Sequence, residues 1–187
     1  MADKLVFDIE TKNTFDDVNS HIPEFEVSVV GVYSYGDDVY TCFDEHELDK
    51  LGEMLQRAHF LIGFSSKRFD LPILQKYFKF NLSTIAHFDI LEEVEKSYGR
   101  RVGLGVLAEA NLGVGKSAHG LQAIEFYKNG EMERLKSYCL QDVRLTKDLY
   151  ELMKRQGYLW IPQRDVPQMT KASFNVEEPV PPPAQLL

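Results

Sequence analysis

Residues 5–10 read Leu-Val-Phe-Asp-Ile-Glu, a short apolar run with two acidic residues, and they decide how the rest of the chain is interpreted. Side chains of a β-strand alternate between its faces, so Asp8 and Glu10 share one face with Val6. A strand this apolar is expected inside a sheet, where each carboxylate is costly to desolvate unless a cation compensates it. The sequence therefore predicts a cationic partner beside this strand.

Outward from this stretch, the hydrophobic periodicity predicts alternating strands and helices. Further strands are predicted at residues 26–35, 39–43, 59–64 and 84–88. Helices are predicted at residues 45–58, 70–80, from about 89 onward, 104–111, 121–128 and 131–155. The Gly-Asp-Asp sequence at 36–38 predicts a hairpin between the second and third strands. Early antiparallel strands followed by strand–helix alternation indicate an α/β domain with a mixed sheet.

The composition is typical of a globular protein with one core. The 187 residues are 44% apolar and 27% charged, and the domain is expected over residues 1–160. Residues 161–187 are rich in proline, so a flexible tail is expected there. No apolar run approaches the roughly 18 residues that a membrane span needs, and no membrane partner is expected. The absence of a secretory signal and the two cysteines, Cys42 and Cys139, favour a cytoplasmic location.

The net charge of −8 bears on the partners of the protein. It argues against tight, non-specific coating of duplex nucleic acid, because phosphates are usually bound by Lys and Arg. It does not exclude an enzyme that acts on nucleic acid, since net charge says little about a single cleft.

The last predicted helix also carries an acid where an apolar residue is expected. Its apolar stripe advances in steps of three and four residues, and Asp142 falls on that stripe. Tyr138 lies one turn earlier on the same face. Burying an acid with a phenol one turn away costs free energy that packing alone would not justify, so both are candidate functional residues.

Asp70 has two interpretations at this stage. It precedes Leu71-Pro72 at the start of a predicted helix, where Asp is a common N-cap. It could equally be a third metal ligand, and the sequence around it leaves both interpretations open.

These acids suit two-metal phosphodiester hydrolysis. Mg²⁺ and Mn²⁺ prefer carboxylate oxygens and water, and two such ions roughly 3.5–4 Å apart can hold the attacking and leaving oxygens. A nearby tyrosine can orient the attacking water. The cysteines and histidines show no zinc-ligand spacing.

Three ordered motifs resemble those of the DEDD exonucleases, which have a ribonuclease H-like fold with a mixed five- or six-stranded sheet flanked by helices. The first is FDIET at 7–11, the second GFSSKRFDLPIL at 63–74, and the third YCLQD at 138–142. The Tyr-x-x-x-Asp form of the third motif is typical of the DEDDy subgroup. The sequence is most similar to the proofreading domains of family-B DNA polymerases and to stand-alone predicted 3′–5′ exonucleases, over about residues 4–155.

The resemblance implies a role for each matching residue. Asp8 would bridge two Mg²⁺ or Mn²⁺ ions, Glu10 and Asp142 would hold the ion that carries the water, and Asp70 would act on the other. Tyr138 would position the nucleophile. The implied nucleic-acid contacts are Phe7 and Thr11, which would lie beside the terminal nucleotide, and Ser65, Phe69 and Lys116. Ser65 stands where the family usually has Asn. Phe69 belongs to the second motif, and a place in the core is its alternative.

Weaker patterns have simpler interpretations. The stretch ANLGVGKS at 110–117 follows a helical patch, so we interpret its glycines as a helix stop rather than a phosphate loop. The basic pairs at 67–68 and 100–101 fit solvated surface, with the path of a nucleic-acid strand as the alternative hypothesis. A strand-end His87 and an N-cap Asp89 account for the HFDI sequence.

The sequence thus predicts a metal-dependent 3′–5′ exonuclease that acts on single-stranded 3′ ends, with DNA favoured. An exonuclease for RNA or short oligonucleotides, and a catalytically weak nucleic-acid-binding module, remain as alternatives. A polymerase or repair partner is left open, as is the choice between DNA and RNA, because recognition of the 2′-hydroxyl depends on the shape of the cleft.

Overall fold

The computed structural model describes residues 2–115, 120–163 and 166–181, and within them seven strands and six α-helices. In chain order they are β1 (Asp3–Thr11), β2 (Val27–Ser34), β3 (Val39–Asp44), α1 (Leu48–Arg57), β4 (Ala58–Gly63), α2 (Asp70–Gln75), β5 (Ala86–Asp89), α3 (Ile90–Tyr98), α4 (Leu104–Leu112), α5 (Gly120–Lys128), α6 (Met132–Gln156), β6 (Tyr158–Pro162) and β7 (Met169–Ser173). No helix in these ranges has both the length and the apolar character that crossing a membrane requires.

The first five strands form one mixed sheet in the order β3-β2-β1-β4-β5. β1 lies in the centre, antiparallel to β2 and parallel to β4. β3 pairs antiparallel with β2, and β5 pairs parallel with β4. The prediction of an α/β domain with a mixed sheet is confirmed, and so is the hairpin, whose turn places Asp38 at a φ of 53°.

The two faces of β1 pack against different helices, as the alternation of its side chains predicts. Leu5, Phe7 and Ile9 belong to an apolar cluster that includes side chains of α1 and α2. Val6 belongs to a second cluster, built largely from α3, α4 and α6. Because Asp8 and Glu10 follow Val6 at intervals of two, they lie on the face that α6 covers.

Gly31 of β2 allows α6 to approach the sheet closely. A Cβ atom at this position would lie 2.9 Å from Cγ2 of Val143 and 3.0 Å from Sγ of Cys139. The Gly31 amide also donates a hydrogen bond to that sulfur (3.1 Å). The absence of a side chain therefore sets the distance between the sheet and the part of α6 that carries Tyr138 and Asp142.

α2 is shorter than predicted, since it ends at Gln75 and not near residue 80. The Gln75 side chain donates hydrogen bonds to the carbonyls of Phe78 and Phe80 and accepts one from the Leu82 amide. These bonds satisfy a non-helical backbone, which the apolar periodicity of residues 76–80 does not reveal.

The C-terminal region differs from the flexible tail expected after residue 160. β6 and β7 form an antiparallel ribbon, and Ile161 and Ala172 are buried in the core. Further on, Glu178 forms ion pairs with Lys4 (2.8 Å) and Lys154 (2.9 Å). Proline is tolerated at the ends of edge strands, so the Pro-rich composition did not exclude this ribbon. Residues 182–187 lie outside the described ranges.

Candidate active site

Three carboxylates from two elements converge beside the centre of the sheet. Asp8 and Glu10 of β1 and Asp142 of α6 each contribute an oxygen, and these oxygens all lie within 4.8 Å of one another. Asp142 is 5% exposed, while Asp8 and Glu10 are partly exposed. The structure therefore brings together two acids predicted from the strand pattern and one predicted from the helix stripe.

Asp70 lies next to this cluster and does not act as a helix cap. It is the first residue of α2, the preceding Phe69 occupies the N-cap position, and no side chain caps the helix. Asp70 is 4% exposed, and its Oδ2 has no hydrogen-bond partner among the residues that the structure describes. Burial, with the negative charges of Asp8 and Asp89, raises the pKa of the Asp70 carboxyl well above its usual value. The N-cap interpretation therefore does not account for this residue.

Tyr138 lies on the inner face of α6, one turn before Asp142, and is buried beside the acids. The next residue, Cys139, places its sulfur 4.0 Å from Oδ2 of Asp8. A hydrogen bond with Cys42, burial and the charge of Asp8 raise the pKa of the Cys139 thiol well above its usual value. This shift disfavours the thiolate, which is the form that acts as a nucleophile or a metal ligand.

One solvent-open cavity of about 580 Å³ contains the four acids and Tyr138, a volume in the range of ligand sites. Its other lining residues are Ile9, Phe15, Ile22, Phe64, Ser65, Arg68, Phe69, Arg101 and Leu104. A larger groove of about 1080 Å³ follows α6 and is lined by Gln141, Arg144 and Arg155 among others, but by none of these acids. We place the candidate site in the smaller cavity, because the convergent carboxylates lie there.

The structure separates the predicted nucleic-acid contacts into two groups. Ser65 and Phe69 line the cavity, and their nucleic-acid contacts stay predictions. Phe7 does not line the cavity: it is 1% exposed and packs on the opposite face of β1, with its ring 5.6 Å from that of His87. Thr11 is also buried, and its hydroxyl donates to the carbonyl of Asn13.

The placement of Phe7 follows from strand geometry, because side chains alternate along β1 and that of Phe7 lies on the face opposite Asp8 and Glu10. The pairing of β1 with β2 is irregular between Glu10 and Thr11, so alternation does not extend to Thr11. The alternation at Phe7 was available from the sequence. The nucleotide contacts that the motif resemblance implied for both residues stay predictions. The predicted contact of Lys116 lies outside the described residues.

Phe15 is a lining residue that the sequence analysis missed. It is 54% exposed at the edge of the cavity, and its ring packs 4.9 Å from that of Phe25 and 5.5 Å from that of Phe69. It lies in a mostly polar stretch without strand or helix periodicity, so no regular pattern pointed to it. The available signal was an aromatic residue shortly after the first acidic motif.

His87 and Asp89 have the structural roles expected of them. Asp89 is the N-cap of α3 and accepts hydrogen bonds from the amides of Leu91 and Glu92. His87 lies 2.8 Å from the hydroxyl of Ser66, and burial lowers the pKa of His87 to about 4. Both residues support the loop that leads to Asp70.

The donor set fits a hard divalent cation. Three carboxylate oxygens that lie close together repel one another unless a cation binds between them. The buried Asp70 has an oxygen available for a further ligand bond. Carboxylate oxygens are the ligands that Mg²⁺, Mn²⁺ and Ca²⁺ prefer in proteins.

The comparisons with known proteins agree with the fold. The sequence model of the RNase_H superfamily matches residues 5–154, and the chain belongs to that superfamily. Its mixed five-stranded sheet flanked by helices is a ribonuclease H-like fold.

Among solved structures, the chain is similar to the family B DNA polymerase from the hyperthermophilic archaeon Pyrobaculum calidifontis, with a TM-score of 0.62 and 19% identity. The alignment covers 82% of this chain and 24% of the polymerase, so the chain corresponds to about a quarter of that protein's length. At this identity the similarity shows the fold. No curated protein matches the chain.

Proposed function

We propose that this chain is a metal-dependent exonuclease that hydrolyses phosphodiester bonds from the 3′ end of single-stranded nucleic acid, with DNA as the favoured substrate. The observation that carries the proposal is the convergence of Asp8, Glu10 and Asp142 within 4.8 Å in an open cavity, beside the buried Asp70. Membership of the RNase_H superfamily supports a nuclease. The 3′-to-5′ polarity comes from the motif resemblance.

The positions of the acids suggest which of the two proposed ions each acid would bind. An oxygen of Asp8 lies within 4.8 Å of Glu10 and Asp142, and the charge of Asp8 also raises the pKa of Asp70. Asp8 is therefore the acid that neighbours both halves of the site, as a ligand shared by two ions must. Glu10 and Asp142 would hold one ion with Asp8, and Asp70 would hold the other, directly or through water.

Two Mg²⁺ or Mn²⁺ ions bound by this set would lower the pKa of a water molecule and compensate charge on the phosphate. Orientation of the attacking water would be the role of a protein side chain. Tyr138, one turn before Asp142, would orient the attacking water through its hydroxyl. The protein thus contributes position and charge.

Phe15 supports a substrate with unpaired bases. Phe15 is 54% exposed at the edge of the cavity, and its ring contacts those of Phe25 and Phe69. Bases of single strands stack on such aromatic side chains with little dependence on sequence. We therefore assign Phe15 to the base of a nucleotide at or next to the 3′ end.

An assay on labelled oligonucleotides tests the proposal. Single-stranded DNA and RNA, labelled at the 3′ or the 5′ end, are incubated with the protein and Mg²⁺, Mn²⁺ or EDTA. We expect early release of a labelled mononucleotide from the 3′-labelled strand, a ladder from the 5′-labelled strand, and no reaction in EDTA. The ratio of DNA to RNA rates decides between the favoured substrate and an RNA-directed enzyme.

Two variants complete the assay. Asp8→Ala is expected to abolish degradation, because it removes the ligand shared by both ions, whereas Glu53→Ala on the exposed side of α1 is the matched control. If no strand is degraded with either metal, or if Asp8→Ala retains near-normal turnover, the proposed function is wrong.

A further inference from the structure

The two members of each basic pair, Lys67-Arg68 and Arg100-Arg101, have different surroundings in the structure. Lys67 forms an ion pair with Glu92, and the Arg100 guanidinium donates hydrogen bonds to the Tyr98 hydroxyl and the Pro162 carbonyl (both 3.1 Å). Arg68 and Arg101 instead line the cavity that holds the acids. Only one member of each pair is therefore placed to meet a substrate.

Arg68 and Arg101 differ in how their charges are compensated. Nη2 of Arg68 lies 2.9 Å from a carboxylate oxygen of Glu95, so its charge is already paired. Arg101 donates a hydrogen bond to the neutral hydroxyl of Ser65 (3.0 Å) and forms no ion pair with another described residue. A guanidinium has five N–H donors, so most of those of Arg101 and its full charge remain for a ligand.

Ser65 holds Arg101 in place because Ser65 is itself fixed. Its backbone adopts a φ of 62°, in the left-handed region, and its amide donates to Oδ1 of Asp89 (2.9 Å). Asp89 in turn caps α3. The hydroxyl that receives Arg101 is thus attached to a loop anchored by a buried carboxylate, so the guanidinium is oriented before a substrate arrives.

We propose that Arg101, oriented by Ser65, binds a backbone phosphate of the nucleic-acid strand next to the scissile bond; this rests on the proposed function. A planar guanidinium matches two phosphate oxygens at once. The nearby carboxylates repel a polyanion, and a fixed cation in the same cavity offsets part of that repulsion. Ser65, where the related motif has Asn, then acts as a positioning residue for this arginine.

The binding test measures the salt dependence of affinity. Each substitution is made in the Asp8→Ala chain, which is expected not to cut, and binding of a fluorescent single-stranded oligonucleotide is followed by anisotropy across a NaCl series. Arg101→Ala should weaken binding roughly three- to tenfold and reduce the slope of log K against log salt by about 0.7, the value for one lost phosphate contact on a single strand. Arg101→Lys should keep the slope.

Two further variants distinguish a specific contact of Arg101 from a general effect of positive charge. Arg100→Ala removes the same charge from the adjacent residue, whose guanidinium is turned away toward Pro162, and should leave affinity and slope unchanged. Ser65→Ala should weaken binding less than Arg101→Ala while keeping the salt slope, because the cation remains but is no longer oriented. Equal effects of Arg100→Ala and Arg101→Ala would overturn the proposal.

Kinetics in the otherwise wild-type chain provide the second measurement. Arg101→Ala should raise KM and leave kcat nearly unchanged, as expected when binding is lost equally from substrate and transition state. A lower kcat with unchanged KM would overturn the proposal. The proposal would also be overturned if Arg101→Ala weakened inhibition by a nucleoside 5′-monophosphate but left the affinity for the oligonucleotide unchanged. The contact of Arg101 would then belong to the released nucleotide.

Failure of the proposed function is recognised separately. If the wild-type chain neither binds nor degrades any strand, both the function and this inference are wrong. If it degrades strands normally and Arg101→Ala does the same with an unchanged salt slope, the inference alone is wrong. Arg101 is exposed, so thermal unfolding of its variants should match that of the parent chain.

Discussion

Asp8 illustrates how one side chain acquires several neighbours from its place on a central strand. It is flanked by Glu10 on its own strand, approached by Asp142 from α6, and close enough to Asp70 to raise the pKa of that carboxyl. Carboxylates that share a cavity repel one another and lose water on burial, so such a cluster is costly unless cations compensate it. The cluster of Asp8, Glu10 and Asp142 therefore supports the proposed cation site.

Asp70 can be tested against Asp89, a buried acid with a structural role. We expect Asp70→Ala to leave the free energy of unfolding in EDTA unchanged or higher, since it removes a carboxylate that is repelled by Asp8 and has an unpartnered oxygen. Asp89→Ala should lower it by about 1–2 kcal/mol through loss of the α3 cap. Urea unfolding in EDTA measures both. Equal destabilisation would make Asp70 a structural residue.

The Tyr138 hydroxyl is expected to contribute to the catalytic rate and not to metal binding. Tyr138→Phe removes the hydroxyl that would orient water but keeps the ring, so kcat should fall roughly 10- to 100-fold while stabilisation by Mn²⁺ stays close to that of the parent chain. Steady-state kinetics and thermal unfolding with Mn²⁺ measure the two effects. A parallel loss of metal stabilisation would mean that the hydroxyl supports the ligands instead.

Between secondary-structure elements, the contact of α6 with the sheet decides whether the site forms. The acids of β1 and α6 are more than 130 residues apart in sequence, and they meet because Gly31 leaves room for Cys139 and Val143 against β2. At the far end of α6, the C-terminal segment after β7 is held by Glu178, which accepts hydrogen bonds from Lys4, Tyr150 and Lys154.

This attachment predicts a pH-dependent contribution to stability. Burial raises the pKa of Glu178, but hydrogen bonds from Lys4, Tyr150 and Lys154 outweigh that effect and lower it from 4.5 to about 2. A carboxyl whose pKa is lower in the folded state stabilises fully above its unfolded pKa, and this stabilisation is lost as the pH falls through the folded value. The contribution should therefore be complete above about pH 4.5 and disappear toward pH 2.

Glu178→Gln tests this contribution. We expect it to lower the free energy of unfolding at pH 7 by about 1 kcal/mol, because the carboxylate is partly exposed and water screens its ion pairs. The difference from the parent chain should shrink as the pH is lowered from 4.5 to 2. Glu177→Gln, next to it and bonded to Asn175, is the control. A difference that is independent of pH would contradict the ion-pair account.

Over the entire domain, the net charge of −8 and the clustered acids imply that cations stabilise the fold. At about 100 times its dissociation constant, one bound ion adds about 2.7 kcal/mol, which corresponds to an increase in Tm of roughly 5–10 °C for a domain of this size. We expect Mn²⁺ to produce such an increase and EDTA to reverse it. NaCl at equal ionic strength should not reproduce it, and Asp8→Ala should reduce it strongly.

Local geometry made much of this predictable from the sequence. Strand alternation placed Asp8 and Glu10 on one face, and helical spacing placed Tyr138 below Asp142, because both periodicities are properties of the backbone. The order of the strands and helices up to α6, and the mixed sheet, followed from the same periodicities. At Phe7 the same alternation predicted the apolar face on which the structure buries this residue.

The tertiary structure decided the features that depend on packing between distant segments. It made Asp70 a buried neighbour of Asp8 instead of a cap, turned Arg101 toward the acids and Arg100 away from them, and brought Phe15 to the edge of the cavity. It also paired the Pro-rich C-terminal segment into a ribbon. Each outcome depends on which surfaces meet when the chain folds, and a local pattern of residues carries no information about that.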